Sequence, residues 1–130
     1  MGVLSSLPLD WYARCFVETQ VDFFIINPFP VPRRSGDSLL RERVIALAGR
    51  LASPDDRFAE WARRVGVVCG ALTPIEKRNH VCELDAVVAH LYGLTEPQLV
   101  HIFETFHEGW DYEERLRATL RHFQTWRGAR

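Results

Sequence analysis

An excess of either charge is missing from this chain of 130 residues, in which sixteen Lys and Arg oppose seventeen Asp and Glu. That balance excludes a histone-like or polybasic binder acting through bulk charge. It still permits a local basic edge. Long hydrophobic runs are missing as well, and none approaches the ~20 apolar residues of a membrane helix. Residues 1–9 carry no basic leader before an apolar run, so no secretory signal is expected. Cysteine is scarce: Cys15, Cys69 and Cys82 are an odd number at irregular spacing. A disulfide framework is therefore not expected, and a reducing cytoplasm is the expected location. Internal repeats and low-complexity tracts are absent. What is present is an ordinary globular mixture, 47% hydrophobic and 25% charged, at a length of one domain.

The chain divides into two parts. Residues 1–34 are aromatic and proline-rich. They open with a short helix that Asp10 can cap. The β-branched and aromatic run Val21-Asp22-Phe23-Phe24-Ile25-Ile26 predicts a buried strand. Asn27-Pro28-Phe29-Pro30-Val31-Pro32 then predicts an extended connector, because its prolines cannot donate ladder hydrogen bonds. Residues 35–130 predict a helical module of about five helices. Leu40, Val44, Leu47, Ala48 and Leu51 form one stripe at helical spacing. Ser53-Pro54-Asp55-Asp56 predicts the next start, with Phe58, Trp61, Ala62 and Val65 inward and Gly66 ending the helix. Thr73-Pro74-Ile75-Glu76, Thr95-Glu96-Pro97-Gln98 and Asp111-Tyr112-Glu113-Glu114 have the capping-box pattern of three further starts. The fold class expected is mainly α, with an α+β edge at the amino terminus.

Motifs for catalysis are lacking. There is no phosphate loop, no Gly-x-Ser-x-Gly and no Cys/His dyad at a helix start. His80 with Cys82 and His101 with His107 are poorly spaced as ligand pairs, so no metal site is expected. Asn27-Pro28-Phe29-Pro30 superficially resembles the Asn/Asp-Pro-Pro-aromatic loop that holds an extruded base. Its aromatic and second proline are exchanged, and no glycine-rich cofactor turn precedes it. Most of Glu83, Asp85, Glu104, Glu108 and Asp111 are expected on solvated faces or at caps. Trp11 and Trp61 are expected in the core. Within residues 33–50, five basic residues (Arg33, Arg34, Arg41, Arg43, Arg50) face two acidic ones. That excess suits phosphate contact. Residues 53–110 hold nine acidic against five basic residues and do not suit it.

Three segments together carry a resemblance. They are Asp10-Trp11-Tyr12-Ala13-Arg14 with the run to Pro32, Asp56-Arg57-Phe58-Ala59-Glu60-Trp61-Ala62, and Glu83-Leu84-Asp85-Ala86 through Leu91-Tyr92-Gly93-Leu94-Thr95 to Phe106. The chain resembles the carboxy-terminal region of large adenine-N6-specific DNA methyltransferases of fused restriction–modification and phage-defence systems. The resemblance spans about residues 4–126. It implies a parent enzyme whose earlier domains bind S-adenosylmethionine and flip adenine. No family catalytic residue and no cofactor site carries over to this chain. Its implied partners are methyltransferase catalytic and recognition domains, in cis or in trans, and through them double-stranded DNA, with no membrane. On this reading Arg14, Arg33, Arg34, Arg41 and Arg43 are the DNA-contact candidates, and Trp11, Phe23 and Phe24 the docking candidates. A stand-alone helical protein–protein interaction module is the alternative, supported by the balanced charge. A small enzyme is a third reading, opposed by the missing motifs.

Overall fold

The computed structural model describes residues 1–17, 22–32 and 38–129. Helices α1 (Leu7–Arg14), α2 (Phe23–Ile26), α3 (Ser38–Leu51), α4 (Ala59–Val65), α5 (Pro74–Leu91), α6 (Glu96–Thr105) and α7 (Glu113–Thr125) follow in order, with a 3-10 turn at Asp56–Phe58 before α4. Among the described residues there is no strand. No described helix is long and apolar enough to cross a membrane.

The absence of a strand corrects the expected α+β edge. Phe23–Ile26 is a helical turn, started by the Asp22 carboxylate, which accepts from the Phe24 amide at 2.9 Å. β-Branched residues favour a strand only where a ladder partner completes their hydrogen bonds. None stands beside this run among the described residues, and local bonds from Ile26 to Asp22 and from Phe29 to Ile26 take over. Val21, also part of the expected strand, lies outside the described residues.

The five helices after the connector follow the apolar stripes, but several starts shift. Thr73 forms the expected capping box: its amide donates to Glu76 Oε2 at 2.8 Å, and the Glu76 amide donates to Thr73 Oγ1 at 3.2 Å. Gln98 likewise reaches back to the Thr95 amide at 2.8 Å. Ser53 does not cap. It is buried, its carbonyl accepts from the Gly70 amide, and Asp55 caps the 3-10 turn two residues later. Nor does Asp111 cap. The Trp110 and Tyr112 rings pack in a tilted pair with centroids 5.7 Å apart, and α7 opens from the Tyr112 carbonyl, which accepts from Leu116 at 2.8 Å. Aromatic packing outweighs the side-chain cap there, because a ring contact and its buried area exceed the ~1 kcal/mol of a cap. Helix α1 begins at Leu7, so Asp10 sits within its first turn instead of capping it.

Helix α5 is the centre of the molecule. Its residues from Cys82 to Ala89 are all buried, so this stretch is covered on every side. Ala86 and Ala89 face a cluster with Leu7, Leu99, Ile102, Phe103 and Phe123. Leu84, Val87 and Val88 face a second cluster with Leu40, Val44 and Leu47. Helices α7 and α3 thus sandwich α5, while α1 and α6 close the first cluster. Helix α1 belongs to this core, since Leu7, Pro8 and Leu9 are buried.

Candidate functional site

Helix α3 turns one face to α5 and another to α4. Beside the second face lies a groove of about 850 Å³. Ile45 and Ala48 of α3, with Ala52 just after it, line one side, Phe58, Trp61 and Val65 another, Met1, Val3, Val31 and Pro32 also border it, and Arg41 is the charged side chain lining it. Gly49 sets how closely the walls approach: a Cβ there would stand 3.0 Å from Val65 Cγ1 and 3.1 Å from Val67 Cγ1. Helix α4 stops at Gly66, whose φ of 78° is the left-handed conformation that glycine adopts without strain. With only seven residues, α4 cannot cover the groove. Trp61 therefore remains 43% exposed and Ile45 50% exposed, which corrects the expectation that Trp61 is core. A contiguous apolar patch of this kind on a folded chain marks a contact surface or a ligand groove.

Two ion pairs fix the helices around α5. Arg43 of α3 forks onto Glu83, with Nε to Oε1 and Nη2 to Oε2 both at 2.7 Å. Trp126 Nε1 donates to the same Oε1 at 3.1 Å, and the Arg43 guanidinium lies over the Trp126 ring. Burial opposes the Glu83 charge, yet the Arg43 fork overrides it and holds the carboxyl below its ordinary range. Asp85, wholly buried, takes the Leu7 amide at 2.7 Å and Arg115 Nη2 at 2.6 Å. It supplies across the fold the amide acceptor that Ser6 does not provide at the start of α1. Burial pushes the Asp85 carboxyl up, against the pull of Arg115 and of that amide. Both acids belong to the group expected mostly on solvated faces or at caps. Their burial is a correction, and the cause is the arginines that meet them from α3 and α7.

The DNA-contact candidates do not come together. Arg43 is engaged by Glu83. Arg14 lies 3.4 Å from Asp10 and stacks over the Phe106 ring. Arg41 lines the apolar groove. Arg33 and Arg34 lie outside the described residues. Of the docking candidates, Trp11 is tied inward, its Nε1 donating to Thr105 Oγ1 at 2.9 Å. Phe24 stands 90% exposed. The side chain of Phe23 lies outside the described residues.

No family model, curated protein or solved structure matches this chain.

No cluster of three or more His, Cys, Asp or Glu suited to a metal is found among the described residues. Cys82, the buried thiol, is pushed up by burial and is a poor nucleophile. Sequence reasoning missed the groove because Phe58, Trp61 and Val65 have the same spacing as a core stripe. Nothing in that spacing tells whether a further element lies over it.

Proposed function

We propose that this chain is a non-catalytic helical docking module of an adenine-specific DNA methyltransferase system in the cytoplasm. The open apolar groove between α3 and α4 carries the reading. Burying Trp61, Phe58 and Ile45 against a partner would remove hydrocarbon from water, at roughly 25 cal/mol per Å². The resemblance of the sequence names the partner: methyltransferase catalytic and recognition domains, joined in cis or bound in trans. S-adenosylmethionine then belongs to those domains, and no catalytic residue is assigned here.

The test is co-expression of this chain with an adenine methyltransferase that lacks its own carboxy-terminal tail. Recovery of a stoichiometric complex, lost on Trp61→Glu, is the expected outcome. Trp61 is partly exposed, so that variant should keep its thermal transition. Recovery of the chain alone, at protein concentrations where folded subunits associate, would remove the reading. A stand-alone interaction module without nucleic acid is the second reading. The engagement of Arg43 by Glu83 favours it, because the carboxylate already neutralises that arginine and occupies the Nε–Nη2 edge that would fork onto a phosphate.

A further inference from the structure

We infer that the edge where the first half of α5 meets α7 is a surface for the phosphate backbone of duplex DNA. The inference rests on the DNA-linked reading above and moves the contact away from the arginines of the amino-terminal half. Residues 115–130 contain no Asp or Glu and five arginines. Residues 77–82 also lack acid and begin with Lys77 and Arg78. The fold brings these two stretches together. His122 Nε2 of α7 lies 2.9 Å from Asn79 Oδ1 of α5, Arg78 lines a cleft with Cys82, and Arg121 acts on the same thiol, so the two arginines flank one seam.

Lys77, Arg78, Arg121 and Arg127 are exposed, and no described ion pair uses them. Three of the acids close to the seam are engaged. Glu76 is held on Thr73, Glu83 on Arg43 and Trp126, and Asp85 on Arg115. Asp111 and Glu114 share the adjoining cleft of about 530 Å³ with Arg78 and Arg115, and they set the acidic limit of the surface. His122 reports the local field. Burial holds its imidazole below the ordinary value, Glu83 opposes, and Arg121, Arg43 and His80 lower it further. A duplex offers one negative charge per roughly 1.7 Å of axis, so a short basic seam meets several phosphates without reading bases.

The test uses the whole chain, a fluorescein-labelled 30-base-pair duplex and polarisation at several salt concentrations. Binding should weaken steeply with salt. Arg78→Gln with Arg121→Gln should reduce the log–log salt slope by about two and weaken binding at low salt by roughly tenfold or more. Arg63→Gln on α4, an exposed arginine away from the seam, should leave both unchanged. Circular dichroism melting checks that each variant is folded. No binding at low salt, an unchanged slope in the double variant, or tighter binding of a single-stranded RNA of equal length would each overturn the surface. The double variant should still be recovered with the methyltransferase in the co-expression test, whereas Trp61→Glu should not. Loss of DNA binding alone and loss of docking alone are therefore separable failures.

Discussion

The two sides of α3 are finished differently. Its inner side meets α5, where Leu40, Val44 and Leu47 are almost completely buried. Its outer side meets the short α4, and there Ile45 and Trp61 stay partly in water. Both sides carry apolar residues at helical spacing. What separates them is cover: α5 is eighteen residues long and enclosed from Cys82 to Ala89, whereas α4 has seven and packs on α3. An apolar stripe specifies a surface that gains from burial, but it does not specify that the same chain supplies the lid.

The largest effect should come from breaking the enclosed side at its polar centre. Asp85→Ala leaves Arg115 half-buried without its carboxylate and the Leu7 amide without an acceptor. Unfolding in urea should show a loss of about 3–5 kcal/mol. A loss under 1 kcal/mol would mean that the pair is spectator to the packing. Phe103→Ala, at a wholly buried position, should cost about 3–5 kcal/mol through lost transfer and cavity terms. Trp61→Ser on the open side should cost less than about 1 kcal/mol, as surface substitutions do. Equal losses at Phe103 and Trp61 would erase the distinction between the two sides.

A smaller effect should appear with pH. The Glu83 carboxyl is held below its unfolded value, so its contribution is present above the unfolded value and is lost as pH falls through the folded one. Stability measured from pH 7 down to pH 2 should drop less steeply in Glu83→Gln than in the parent. Matching slopes would show that the Arg43 fork does not carry acid sensitivity. A further small change should come from Thr73→Ala, which removes one cap of α5 and should cost about 1 kcal/mol. Hydrogen exchange at the Glu76 amide would locate that loss.

Much of the helical plan was legible in the sequence, and the misses share a cause. Thr73 with Glu76 and Thr95 with Gln98 are local devices, complete within four residues, and they form as the pattern says. Ser53 and Asp111 have the same local chemistry and fail. Ser53 is drawn into the interior, and the start of α7 is fixed by the tilted Trp110–Tyr112 ring contact. The run around Phe23–Ile26 has the composition of a strand, but a strand needs a neighbour that composition cannot provide. Of the candidate site residues, Arg14 and Arg43 could be counted but not aimed. Their partners, Asp10 with Phe106 and Glu83 with Trp126, include residues dozens of positions away.

By itself the sequence determined the stripes, the local caps, the balanced charge and the acid-free last sixteen residues, because each depends on near neighbours or on counting. Tertiary structure alone decided which acids are buried, which arginines face inward and which apolar stripe stays open. Those outcomes depend on what packs over a side chain. For Asp85 that includes Leu7, 78 residues earlier, and for Trp61 it is the shortness of α4.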